Sequence, residues 1–94
     1  MTNGPDQNSM RVTLLYFASL REAVGTARES CELPTGIDTP RRLRGWLRER
    51  GEPWSAALAE GRSVRTAIDQ VMAAPDTAFV DGAEIALFPP VTGG

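Results

Sequence analysis

The sequence predicts a single α+β domain in which a mixed sheet of about four to five strands packs on one main helix. Three observations point to this fold class. Residues 11–17 form an apolar run whose side chains alternate onto two largely apolar faces, and apolar residues alternate along 84–88; both patterns are typical of strands. Between them, 39–51 combines helical apolar spacing with a start and a stop signal. The chain has 94 residues, 41% of them hydrophobic, which suits one globular domain.

The first strand and the short helix after it are predicted by RVTLLYFASLREAVG. The strand, 11–17, has two largely apolar faces, so its second face is either covered within the domain or meets a partner. The helix is expected over 18–25, with Ser19 and Glu22 as its capping box and Gly25 at its end.

A second strand is expected over 26–34, with Cys31 and Leu33 on the same side. Cys31 is the only cysteine, so a disulfide framework and a zinc site built on several thiolates are excluded. We interpret Cys31 as a small buried hydrophobic residue rather than as a sulfur donor.

The clearest helix has Thr39 as its N-cap, Pro40 in the first helical position and Gly51 just past its end. Its predicted buried stripe consists of Leu43, Trp46 and Leu47. A further turn or two of helix is expected over 53–61, where Trp54 and Leu58 are four residues apart.

The main helix also carries a series of arginines, namely Arg41, Arg42, Arg44, Arg48 and Arg50. Such a series favours a solvated helix face, partly neutralised by nearby acidic residues. A contribution to steering toward an acidic partner is the second interpretation.

The last third of the chain predicts a weaker strand and a clear one. We expect one strand over 63–73, a turn at Asp81-Gly82, and a final strand over 84–88. In the final strand Ile85 and Leu87 face one way, and Glu84, Ala86 and Phe88 face the other. Pro89-Pro90 cannot donate to a sheet and therefore ends the pairing.

The residue types that are missing exclude several functional classes. The chain has no histidine, which removes the commonest general base and most transition-metal sites, so no metal is expected and a self-contained enzyme is disfavoured. All ten basic residues are arginines. The net charge of −2 gives no electrostatic case for nucleic acid, and the apolar runs are too short to span a membrane.

The organisation along the chain follows from its polar and proline-rich ends. Residues 1–9 are predicted to be a disordered leader, followed by one domain over 10–94 whose extended tail is 89–94. The leader lacks the basic and apolar regions of a signal peptide, so a cytoplasmic location is expected.

The tail PPVTGG combines a stiff start with a slender end. Pro89 and Pro90 restrict φ and keep the chain extended, which lowers the entropy lost when the tail enters a channel. Val91 and Thr92 can form backbone hydrogen bonds in such a channel. Gly93 and Gly94 lack a Cβ, so the backbone can pass close to another molecule. When Gly93-Gly94 is considered alone, the alternative interpretation is that it is simply a flexible chain end.

These two ends carry a resemblance to a known family. RVTLLYFASLREAVG (11–25) and DGAEIALFPPVTGG (81–94) resemble the small subunits of molybdopterin synthase, which are sulfur carriers with the ubiquitin-like β-grasp fold. The likeness runs over about 10–94, and its specific part is FPPVTGG joined to FASLREAVG. It implies a β-grasp roll in which the first two strands form a hairpin-like pair.

The resemblance implies a mechanism that ends on Gly94. An E1-like activating enzyme uses ATP to adenylate the carboxylate of Gly94, and a sulfur donor system converts the adenylate to a thiocarboxylate. The tail then enters the large synthase subunit, which holds the catalytic residues, and gives its sulfur to precursor Z (cyclic pyranopterin monophosphate). The carrier itself binds no cofactor, and the family assembles as a heterotetramer.

The resemblance also implies a docking patch formed by Phe17, Phe88 and Met72. An exposed cluster of two aromatic residues and a methionine suits recognition of a partner. Spacing alone leaves open that Phe17 and Phe88 belong to the core.

Three other functions stay open from the residues alone. The first is a sulfur carrier for thiamine thiazole or cysteine synthesis. The second is a ubiquitin-like protein modifier that is attached through Gly94. The third is a plain interaction domain with an inert tail.

Overall fold

The computed structural model describes residues 9–90; residues 1–8 and 91–94 lie outside that range. Five strands and three helices follow one another in the order β1 (Met10–Tyr16), α1 (Ala18–Val24), β2 (Arg28–Leu33), α2 (Pro40–Arg48), α3 (Trp54–Ala57), β3 (Arg65–Ile68), β4 (Val71–Ala73) and β5 (Glu84–Phe88). None of the helices in 9–90 is long and apolar enough to cross a membrane.

The sheet has the strand order β2-β1-β5-β3-β4, with a parallel pair at its centre. β1 and β5 run parallel, from Thr13 opposite Glu84 to Tyr16 opposite Leu87, and the remaining neighbours are antiparallel. β1 and β2 pair antiparallel around α1, as the resemblance implies. A mixed five-stranded sheet with the main helix across one face confirms the predicted β-grasp fold.

The core lies between one face of this sheet and α2. Strand alternation sends Leu14 and Ile85 inward, where both are fully buried. From the helix, Leu43 and Leu47 are also fully buried, and Trp46 packs against them at the margin. The predicted stripe of α2 therefore meets the sheet, and no helix among residues 9–90 covers the opposite face of the sheet.

The start of α2 is built as its sequence predicts. The Thr39 side chain accepts a hydrogen bond from the Arg42 amide at 3.2 Å, and Pro40 occupies the first turn. The helix ends at Arg48, and Gly51 follows with φ of 89°.

The predicted cap of α1 is wrong. The helix begins at Ala18, so Phe17 takes the N-cap position without a side-chain hydrogen bond, and Ser19 lies inside the first turn. The reason is tertiary, because the Phe17 amide donates to the Leu87 carbonyl of β5 at 3.1 Å and keeps β1 in the sheet up to that point. Gly25 ends the helix with φ of 83°, as predicted.

The single strand predicted over 63–73 is also wrong, because the structure divides it into the hairpin β3–β4. Asp69 and Gln70 form its turn, with φ values of 50° and 72°. A two-residue turn of this kind normally carries Asn-Gly or Asp-Gly, and the pair Asp-Gln lacks that signal. The Asp69 side chain compensates by accepting a hydrogen bond from the Glu84 amide at 3.0 Å.

One polar cluster joins the edge of the sheet to the helices. Arg50 donates to both oxygens of Glu29, at 2.9 and 3.2 Å, and its guanidinium lies over the rings of Trp46 and Trp54. The Tyr16 hydroxyl donates to Glu29 at 2.8 Å and accepts from the Trp54 indole at 3.3 Å. This cluster, Tyr16–Glu29–Arg50–Trp46–Trp54, fixes α2 and α3 against β1 and β2.

Burial and hydrogen bonding act in opposite directions on the Glu29 carboxyl. Burial by itself raises its pKa, but the hydrogen bonds from Arg50 and Tyr16 outweigh this and hold the pKa below its usual value of 4.5. The pKa of the Tyr16 hydroxyl is raised, mainly by burial. The cluster therefore holds an ionised Glu29 beside a neutral Tyr16 at neutral pH.

We predict that Glu29→Gln lowers the free energy of unfolding at pH 7 by about 1 kcal/mol, since the charge-assisted bonds are lost at a site that is partly open to solvent. Because the folded pKa of Glu29 is depressed, its stabilisation is complete above its unfolded pKa and is lost as the pH falls through the folded pKa. Urea denaturation between pH 7 and pH 3 measures this. A wild-type advantage that stays constant across that range would contradict the account.

Candidate functional site

The predicted tail begins where β5 ends. β5 keeps its pairing with β3 up to Phe88, opposite Arg65, and Pro89 and Pro90 follow without strand structure. Both prolines are half-buried, so the start of the tail lies against the domain. Val91, Thr92, Gly93 and Gly94 lie outside the described residues, and their predicted roles stay predictions.

The two predicted phenylalanines meet at the root of the tail. The ring centroids of Phe17 and Phe88 are 6.4 Å apart, and the rings are nearly perpendicular, at 84°. They come together because β1 and β5 are parallel neighbours, so residues that follow or end the two strands lie side by side. Phe17 is 46% exposed, so this pair is not part of the core.

Met72 lies on the same outer face, two strands from β5. It pairs with Ala67 on β3, Ala67 pairs with Ala86 on β5, and Ala86 pairs with Leu15 on β1. This outer row, Met72–Ala67–Ala86–Leu15, crosses four strands without a charged side chain. Met72 is 54% exposed at its end. The structure therefore brings Phe17 and Phe88 into contact and places Met72 on their face of the sheet.

The alanines of the outer row are functional candidates that the sequence reasoning missed. Their signal was present, because Ala67 and Ala86 occupy the outward phase of their strands where polar residues are usual. A row of small apolar residues gives a flat surface that another protein can approach closely. The outer row and the Phe17–Phe88 pair together form what we call the apolar face.

The shifted pKa values within 9–90 belong to groups away from the apolar face. Cys31 is 6% exposed on the core side of β2, which confirms its interpretation as a buried residue. Burial raises the pKa of its thiol, although Arg50, which donates to the sulfur at 3.4 Å, opposes this. A protonated, buried thiol is a poor nucleophile.

Most arginines of α2, and Arg50 just after it, form ion pairs with neighbouring carboxylates. Ion pairs join Arg41 to Asp76, Arg42 to Asp38, Arg48 to Glu60 and Arg50 to Glu29. Arg44 instead donates to the carbonyl oxygens of Leu58, Ala59 and Arg62, and so holds the loop after α3 against the helix. The predicted neutralisation by acidic residues is confirmed for four of these five arginines, but the predicted solvation holds only for Arg41 and Arg42, because the side chains of Arg48 and Arg50 are 34% and 25% exposed.

The comparison with protein families decides where the chain belongs. The profile of the ThiS family matches residues 14–94, from the first strand to the end of the tail. The chain belongs to the ThiS family. Together with the curated relatives described next, this match confirms the family resemblance that the two ends predicted.

The matches extend over nearly the full length of each relative. The molybdopterin synthase sulfur carrier subunit of Escherichia coli is 36% identical over 83 residues, 88% of this chain and 99% of that protein. In a complex of subunits 1 and 2 of the molybdopterin-converting factor from Helicobacter pylori, the matching chain has a TM-score of 0.56 at 26% identity, covering 90% of this chain and all of that one. The HVO 2177 protein of Haloferax volcanii matches with a TM-score of 0.75, 24% identity, 99% of this chain and 94% of its own, and shows the fold alone.

We predict that Phe17→Ala changes the free energy of unfolding by about 1 kcal/mol or less, because the exposed ring loses little more than its edge contact with Phe88. The matched change Phe79→Ala should cost about 3–5 kcal/mol, since Phe79 is 3% exposed in the core. Chemical denaturation of both variants measures the difference. Equal losses would place Phe17 in the core and remove it from the apolar face.

Proposed function

We propose that this protein is a sulfur carrier and the small subunit of molybdopterin synthase. The observation that carries the proposal is the position of Pro89-Pro90, where the tail begins, directly after β5 of the parallel pair β1–β5 and beside the Phe17–Phe88 contact. A partner that binds the apolar face is thus placed to receive the tail. The full-length likeness to the E. coli carrier supports the same function.

The proposed reaction uses a main-chain carboxylate. An oxygen of the Gly94 carboxylate attacks the α-phosphate of ATP in an E1-like activating enzyme, and pyrophosphate leaves. Sulfur supplied by a donor system then displaces AMP from the acyl group, which gives a C-terminal thiocarboxylate. Adenylation is needed because a carboxylate is a poor electrophile, whereas its mixed anhydride with AMP has a good leaving group.

In the second half of the cycle, the thiocarboxylate sulfur attacks precursor Z in the large subunit, and water then cleaves the resulting thioester, which leaves the sulfur on the substrate and regenerates the Gly94 carboxylate. Two such transfers provide the two sulfurs of the molybdopterin dithiolene. This chain contributes position rather than acid–base chemistry: the β1–β5 pair sets the origin of the tail, Pro89 and Pro90 stiffen its start, and Gly93 and Gly94 keep its end narrow. The catalytic residues are those of the large subunit.

The docking role proposed for Phe17, Phe88 and Met72 follows from their exposure. Phe17 and Met72 are about half exposed, and Phe88 is partly buried beside Phe17, so a partner that covers them removes apolar surface from water, and this burial drives association. The large subunit and the activating enzyme each receive the same tail, so we propose that both bind the apolar face in turn.

The alternative functions differ from this proposal in the partner. The ThiS family match alone fits carriers of other sulfur pathways, and the curated likeness favours molybdopterin synthase. Copurification with a thiazole synthase in place of the large synthase subunit would favour the thiamine pathway. High-mass conjugates that contain this chain would favour a protein modifier.

We predict that deletion of Gly93-Gly94 abolishes cofactor synthesis without unfolding the domain, because the core lies within 9–90. A strain that lacks the gene is complemented with the wild type or with the shortened chain, and its molybdopterin content is measured. Val80→Ser serves as the control, since Val80 is exposed in the loop before β5, at the strand end away from Phe88. Normal cofactor content in cells with the shortened chain would refute a role for the tail as carrier.

A further inference from the structure

A groove with an excess of positive charge opens next to the tail. It runs between α2, the loop after α3 and the β3–β4 hairpin, and its volume is about 1500 Å³. Five arginines line it, Arg41, Arg44, Arg48, Arg62 and Arg65, against two glutamates, Glu49 and Glu60. The chain as a whole has a net charge of −2, so positive charge is concentrated here.

The guanidinium groups of this groove differ in the ion pairs and hydrogen bonds that they form. Arg41 forms an ion pair with Asp76 at 2.8 Å. The ion pair of Arg48 is longer, 3.6 Å, and its partner Glu60 is largely exposed. Arg44 donates to backbone carbonyls and retains its positive charge. Arg62 and Arg65 are exposed and have no carboxylate within 4.0 Å among residues 9–90.

The backbone position of Arg62 is fixed by a hydrogen bond from α2. Arg44 donates to the Arg62 carbonyl at 2.7 Å and ties its loop to α2. Arg65 is set by the sheet, opposite Phe88 in the β3–β5 register. Two arginines without a carboxylate partner among residues 9–90 therefore line the groove, and Arg65 is the one beside Phe88, where the tail begins.

The groove is continuous with the apolar face. Met72 and Pro90 belong to its lining, and so does Leu87 of β5. Met72 is therefore shared between the groove and the apolar face, and Pro90 is shared between the groove and the start of the tail. The ligand of the groove is therefore expected on the same partner that takes the tail.

We propose that this groove binds an acidic segment of the large synthase subunit, with Arg62 and Arg65 pairing with its carboxylates. This inference rests on the proposed function, because it takes the large subunit as the tail's acceptor. The groove is far larger than a single phosphate needs, and its mixture of guanidinium and apolar groups suits a peptide segment. The net negative charge of the chain disfavours nucleic acid as the ligand.

The test measures association of the purified carrier with the large subunit of the same organism by surface plasmon resonance over a series of NaCl concentrations. The double variant Arg62→Glu/Arg65→Glu should raise the Kd by about tenfold or more, mainly through slower association, and the Kd should depend less on the NaCl concentration. Arg42→Glu is the control, because Arg42 is an exposed arginine at the start of α2 that neither lines the groove nor belongs to the apolar face. It should stay within about twofold of the wild type.

Three outcomes would overturn the inference. If the double variant binds like Arg42→Glu while Phe17→Ser/Phe88→Ser binds weakly, the groove has no role and the proposed function stands. If the double variant loses thermal stability along with affinity, the arginines act on the fold. If the wild type does not bind the large subunit at all, the proposed function fails together with the groove. Restored affinity of the double variant with a large subunit whose acidic segment is changed to lysine would support direct pairing.

Discussion

The parallel pairing of β1 with β5 is the interaction on which the rest of the structure depends. It joins strands from the two ends of the sequence at the centre of the sheet, with β2 on one side and the β3–β4 hairpin on the other. Because the two strands run in the same direction, the end of β5 lies beside the start of α1. The Phe17 amide, which donates to the Leu87 carbonyl, extends this pairing by one residue and displaces the expected cap of α1. The same register places Phe17 beside Phe88 at the origin of the tail.

The side chains with shifted pKa values within 9–90 lie in contacts that hold parts of the fold together. The strongest polar cluster within 9–90, around Glu29 and Arg50, lies on the helix side and connects sheet and helices. The apolar face on the other side of the sheet holds no group with a shifted pKa. This division fits a carrier whose reactive atom is a main-chain carboxylate, since such a protein needs a rigid base for its tail and a surface that a partner can cover.

The sequence predicted those features that depend on local pattern. Alternation along 11–17 and 84–88 identified the central strands, and Thr39, Pro40 and the Leu43–Leu47 spacing identified α2. It failed where distant residues decide the local structure. The β3–β4 turn at Asp69-Gln70 is stabilised by the Glu84 amide, which no local signal shows. The free charge of Arg62 and Arg65 likewise depends on which acidic residues the fold brings near them. The Phe17–Phe88 contact was predictable only through the family resemblance, because spacing leaves a core position equally open.

The central claim is that Gly94 carries sulfur, and the intact mass of the protein from its native cells tests this most directly. The protein is purified from cells with and without the activating enzyme, and its C-terminal peptide is fragmented. The account predicts a species heavier by the replacement of one oxygen by sulfur, localised to Gly94, that is lost without the activating enzyme. If only the free carboxylate is found while that enzyme and a sulfur donor are active, the carrier function is contradicted, and the tail is then a docking peptide or a tag.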